Sequence, residues 1–307
     1  MLRGIAVFSM QGRWQSAIAI SLLSVAALML PPFSYLASGV IALCTLRMGP
    51  KEGVKIVVAA TVILTLITGL LMKQIFISGL FLLSSWLPML VVSLVLGYTR
   101  SLAASLLAAS GLGIVLVLGF YLFLPEPTVW WQQFLAPFMD MLSQQPGWQF
   151  DQTQTQEIVL RVASMMTGLV AAGFSINLML GLLIGRSWQE RLYNSGGFAS
   201  EFYQLKLGKS AAIILIILMA VALSPLSDTL SMLRDFLPVM LVVFTLQGLS
   251  IVHAIVKQQQ RQSFWLVTVY VLLVMMLPQM MVILAAIGVL EQWFNFRKHS
   301  LNDTSGR

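Results

Sequence analysis

Residues able to do chemistry are scarce in this chain, and its acids keep away from its hydrocarbon. There are 11 Asp and Glu, 2 His and 1 Cys in 307 residues, and no acid falls within any of the long apolar runs. Carriers coupled to protons or sodium commonly hold a carboxylate at membrane depth. Aspartyl chemistry needs two acids sharing a site, and Mg²⁺ needs a cluster of acidic oxygens. Neither pattern is written here. His253 and His299 lack zinc-ligand spacing, and a lone Cys44 builds neither an intrachain disulfide nor a thiolate site. A nucleophilic serine would have only His253 as its base at a plausible depth. The expectation is a protein that is not an enzyme and carries no metal or cofactor.

The uncharged polar residues offer more. Ser84-Ser85-Trp86-Leu87-Pro88 sits inside an apolar run, where a proline frees a carbonyl that the serines ahead of it can re-satisfy. Trp86 then either packs into the kink or lines a ligand cavity. Gly173, Asn177, Gly181 and Gly185 lie four apart on one helical face. Small residues admit a second helix and the amide bonds across the contact, or the same amide serves a ligand. Arg161, near one end of its run, either snorkels to the surface or holds an anion. Trp130 and Trp131 lead an amphipathic stretch through Phe134, Phe138 and Met141, with Gln132, Gln133 and Asp140 between. It reads as an aromatic anchor at the membrane boundary or as a lid over an outward pocket. Gln247 and His253 are expected to make bonds between helices.

One apparent motif fails. Gly208-Lys209-Ser210 imitates the end of a phosphate-binding loop, but Tyr203 stands where the first glycine is needed. No ATP hydrolysis is expected of this chain.

The elements that must position these residues are membrane helices. The chain is 58% hydrophobic and 9% charged, with mean hydropathy +0.89, whereas soluble domains are about 25% charged. Crossing a core of roughly 30 Å takes about 20 apolar residues in a closed backbone ladder. Apolar runs occupy 15–30, 33–46, 56–72, 75–96, 101–124, 158–185, 210–226, 237–256 and 264–290. They predict an all-α, polytopic membrane bundle of about eight helices. The first two runs are short and split by Pro31-Pro32, which calls for tilted or sheltered helices. Pro278 interrupts the last run, leaving either one kinked span or two half-spans folded back. Arg3 and Arg13 precede the first run without a small-x-small cleavage site, so that run is expected to stay as a span.

Charge gives orientation. The net charge is +7, but the basic residues alternate from loop to loop instead of forming a stripe, so no nucleic-acid partner is expected. Arg3, Arg13, Arg47, Lys51, Lys55, Arg100, Arg186, Arg191, Lys206, Lys209, Lys257 and Arg261 share one side if the N-terminus is cytoplasmic. The connection 125–157 carries Glu126, Asp140, Asp151 and Glu157 and no Lys or Arg, as an outer loop does. Arg297 and Lys298 prefer the inside, against a single span through 264–290. Asn194-Ser195-Gly196-Gly197 is read as a flexible break, and the polar tail after Arg297 as disordered.

Two stretches carry a resemblance. Leu30-Pro-Pro-Phe-Ser-Tyr-Leu through Leu46-Arg-Met-Gly-Pro-Lys-Glu-Gly53 forms one. Gln247-Gly-Leu-Ser-Ile-Val-His253 with Gly288-Val-Leu-Glu-Gln-Trp-Phe-Asn-Phe-Arg297 forms the other. Together they resemble the uncharacterised bacterial YybS-like membrane family. That family is similar to the substrate-binding S components of energy-coupling-factor vitamin transporters, and more distantly to MreD-type cell-shape proteins. The resemblance implies a six-span S-component-like core over 1–186, a basic cytoplasmic loop at 187–209, added membrane helices over 210–296 and a short tail. It implies a protein of the bacterial inner membrane that binds or takes up a small molecule, with a separate coupling subunit and ATPases as partners besides the bilayer. The MreD likeness implies instead a scaffold for cell-envelope or division proteins. S components dock through an Ala-xxx-Ala face on their first helix, where this chain has Ala17 and Ser21.

Overall fold

The computed structural model describes residues 2–144, 151–193, 197–227, 229–260 and 264–297. Every regular element among them is a helix, as lipid demands of a backbone that must satisfy itself. Six of those helices are long and apolar enough to cross a membrane. The chain is a multi-pass helical membrane bundle. Residues 194–196 of the expected break and 298–307 of the tail, His299 included, lie outside the described residues.

A short α1 (Leu2–Ser9) leads into α2 (Arg13–Ala27), and a turn through Pro31 sends the chain back as α3 (Pro32–Met48). Pro32 falls at a helix start, where a missing N–H costs nothing. The shortness expected of this pair is answered by shelter, because α3 is buried continuously from Ala37 to Thr45. Gly49, at φ 92, makes the turn into α4 (Pro50–Met72). Arg13 and Glu52 pair at 2.7 Å and hold the starts of α2 and α4 at one end of the bundle.

The serine-proline run breaks as its sequence suggests. It folds as α5 (Phe76–Phe81), a π-helical turn at Leu82–Trp86 and α6 (Leu87–Thr99). Ser84 Oγ donates to Leu80 O at 2.7 Å, one turn back and not to the carbonyl that Pro88 leaves free, which is that of Ser84 itself. Then come α7 (Leu102–Phe123), the amphipathic α8 (Pro127–Ser143) and α9 (Gln152–Tyr193). At 42 residues, α9 is about 63 Å long, twice the hydrocarbon thickness. It is the central post, packing on α3, α7, α8 and α12.

The C-terminal part adds α10 (Gly197–Tyr203), α11 (Lys209–Leu223), α12 (Ser231–Gln258), α13 (Phe264–Met275) and α14 (Leu277–Phe294). Gly208, at φ 96, is simply the N-cap of an apolar helix, and the element before it is helical. The last apolar run is two pieces broken at Met276, whose φ −127 and ψ 51 leave the helical region. The second piece comes back to the end from which the first departs. Beyond α14, Arg297 donates to Tyr203 O at 2.6 Å, Leu205 O at 2.7 Å and Ser250 Oγ at 3.2 Å, all beside the α9–α11 connection. This folded-back hairpin removes the conflict between Arg297 and the charge rule. Topology reporters fused to either terminus should therefore read the same side of the membrane. Opposite sides would contradict the hairpin.

Candidate functional site

The broken helix, the sheltered short helix and the central post meet at one polar knot. Asn177 of α9 donates from Nδ2 to Ser34 Oγ at 2.8 Å. Its Oδ1 accepts from Ser38 Oγ at 3.0 Å and from Ser85 Oγ at 3.2 Å, and these two hydroxyls lie 3.0 Å apart. Ser34 and Ser38 are one turn apart on α3, while Ser85 is turned inward by the π-helical turn. Trp86, next to it, is fully buried at 0% exposure and stacks on Phe81 with centroids 6.2 Å apart. Its indole Nε1 is buried without a partner.

Depth follows from helix rise. Trp131 Nε1 donates to Thr167 Oγ1 at 2.9 Å and marks the aromatic level on α9. From Thr167 to Asn177 is about 15 Å, half the hydrocarbon thickness. The knot thus lies near the middle of the membrane, where a discontinuous helix offers polar groups that a regular one would spend on itself.

The glycine stripe works against α3. A Cβ on Gly181 would sit 2.5 Å from Ser38 Cβ, and one on Gly185 would sit 2.6 Å from Ala42 Cβ. Gly173 drops out of the expected face, since nothing lies within 4 Å of its missing Cβ. Gly181 and Gly185 are thus taken up by α3 inside the protein. The Ala17 and Ser21 face is also covered, both residues being fully buried, with Ser21 Oγ donating to Ala60 O at 3.0 Å.

The other candidate residues lie apart from the knot. Ser84 is exposed on the adjoining face, at an apolar groove of about 550 Å³ lined also by Pro88, Leu112, Leu116, Phe120 and Phe174. Trp131 is plugged into the bundle at 6% exposure, and Trp130 packs edge-on to it with Phe120 and Phe134 beside them. Phe134 and Phe138 remain exposed, as in an anchor helix docked on α9. Arg161 is exposed and about 24 Å along α9 from Asn177. It shares no site with Trp86.

Two acids were missed because they fall just outside the apolar runs. Asp235, 3% exposed, accepts from Tyr121 OH at 2.9 Å at the end of the bundle that carries Trp131. Glu291, 0% exposed, pairs with Arg297 at 3.4 Å and accepts from Phe296 N at 2.6 Å. The helices outlast the hydropathy runs, so the exclusion of acids from those runs does not clear acids from the interior.

The two C-terminal stretches quoted above are also brought together. Gln247 Oε1 accepts from Leu207 N at 2.8 Å, and its Nε2 donates to Gly288 O. Lys206 Nζ donates to Asn295 Oδ1 at 2.6 Å. His253 Nε2 lies 2.9 Å from Tyr270 OH, enclosed by the rings of Phe202 and Tyr203.

The fold and this knot define a multi-pass helical membrane protein with a buried, uncharged polar centre beside a π-helical break. No protein-family model, curated protein or solved structure matches the chain.

Proposed function

We propose that this chain is a non-enzymatic protein of the bacterial inner membrane, YybS-like, with its N-terminus cytoplasmic. In this reading an S-component-like core and added C-terminal helices give about eight crossings, followed by the α13–α14 hairpin. It binds a small amphipathic molecule arriving from the outer side, and any uptake depends on separate coupling and ATPase subunits.

The observation that carries the reading is the Trp86 indole. Roughly 90% or more of buried polar groups have a partner, and this donor has none, on the residue next in sequence to Ser85 of the knot. An oxygen acceptor on a ligand would complete it. The apolar groove at Ser84 gives the rest of such a molecule room beside the same turn.

The test is a thermal-shift screen of the purified protein against a broad set of small metabolites, repeated with Trp86→Phe. That change keeps an aromatic ring and deletes the donor, so it removes no existing hydrogen bond. A stabilising ligand should lose most of its shift in Trp86→Phe, because a site group left unpaired costs about 1–3 kcal/mol. A screen with no stabilising compound would defeat the proposal, as would an undiminished shift in the variant.

A further inference from the structure

At the opposite depth from the aromatic level lies a second polar cleft, framed by α3, α6, α9 and α10. It measures about 370 Å³ and is lined by Leu46, Gly97, Arg100, Arg186, Gln189 and Glu201. A smaller hollow of about 200 Å³ continues from Leu46 and Gly97 past Thr45, Ser93 and Tyr98. On α9, Arg186 lies about 14 Å beyond Asn177, which brings the cleft to the inner headgroup level of a 30 Å core centred on the knot.

The charges in it are unevenly committed. Arg186 is held by Glu201 through Nε at 3.0 Å and through Nη2, and donates from Nη1 to Gln189 at 2.7 Å. Arg47, close by in sequence to Leu46, lies over the Tyr193 ring at 4.3 Å. The Arg100 guanidinium has no hydrogen bond or ion pair among the described residues, and the residue's left-handed backbone, φ 52, ends α6 at the cleft. Thr45 closes the inner hollow, its buried side chain packed against Gly53 of α4. Two guanidinium-bearing residues therefore line one polar cleft in which Glu201 is committed to Arg186.

We infer that this cleft binds the phosphodiester of an inner-leaflet phospholipid headgroup, with Arg100 as the charge partner. The cleft carries Arg100, Arg186 and Glu201, a net single positive charge, which matches the single negative charge of a phosphodiester better than a phosphate dianion. Leu46 and the neighbouring Leu94 and Leu96 line the hollows with apolar surface suited to a glycerol-acyl stem. Basic clefts between membrane helices on this side are suited to such headgroups.

The test uses full-length, delipidated protein in neutral detergent, with phosphatidylglycerol, phosphatidylcholine, diacylglycerol and inorganic phosphate added separately and thermal stabilisation titrated. Both phospholipids should stabilise and diacylglycerol should not. Arg100→Gln should weaken the phospholipid effect about fivefold, the worth of one arginine near a membrane surface. Gly97→Leu, whose Cβ meets nothing within 4 Å, should block the cleft while every charge remains. Equal stabilisation by diacylglycerol, or no change in either variant, would overturn the inference. Stabilisation by inorganic phosphate without any by phospholipid would overturn the lipid assignment.

Discussion

Replacing Gly248 with leucine is expected to abolish the folded protein, and even Gly248→Ala should lower its stability by about 3 kcal/mol. The α12–α14 crossing leaves no space for a side chain. A Cβ on Gly248 would lie 2.6 Å from the carbonyl carbon of Leu284 and closer still to its oxygen. On the facing helix, a Cβ on Gly288 would lie 2.6 Å from Phe244 O. Overpacking costs roughly 1–3 kcal/mol when side chains can shift. Here the opposing atoms are backbone, so the cost falls at the upper end, against a total stability of about 5–15 kcal/mol. Thermal unfolding in detergent and the monodisperse fraction on size exclusion measure it. Gly173→Ala is the matched control, because its Cβ meets open space. A Gly248→Ala protein as stable as the parent would show that the helices do not cross this closely.

Arg297→Met should cost about 3–5 kcal/mol, the usual penalty for removing one partner of a buried pair. Glu291 would be left without its cation at 0% exposure, and Tyr203 O, Leu205 O and Ser250 Oγ would each lose a donor. Adding Glu291→Gln to Arg297→Met should restore part of the loss, with a coupling of about 0.5–3 kcal/mol. Arg297→Lys should recover little, since one ammonium cannot reproduce the guanidinium fork across several acceptors. The readouts are the unfolding midpoint and the rate of proteolysis in the 203–209 connection of membrane vesicles opened on that face. Strict additivity of the two substitutions would dismiss the pair as a unit.

What the sequence made legible is what composition and local geometry control. Apolar runs marked the membrane helices, Pro88 with its serines marked the break in α5–α6, and Pro278 marked the interruption between α13 and α14. Asn177 stood out as an amide in hydrocarbon. Its partners did not, because Ser34 and Ser38 lie 143 and 139 residues away, and small hydroxyls are ordinary inside membrane helices. Their spacing of four on a helix too short to be exposed was the available signal. Asp235 and Glu291 were misjudged for a related reason. Hydropathy ends where lipid contact ends, whereas burial continues wherever neighbouring helices reach. Gly173 shares the helical phase of Gly181 and lies beyond the start of α3, so periodicity placed it on a face that has no neighbour there.

The bond from Arg297 to Tyr203 O spans 94 residues of chain. At a synthesis rate of about 5–20 residues per second, the guanidinium follows its acceptors out of the ribosome by roughly 5–20 s. Through that interval the carbonyls of Tyr203 and Leu205 are without their donor, and α12 and α14 have yet to cross. The contacts of Arg297 and the α12–α14 crossing therefore close after the helices before them have been made.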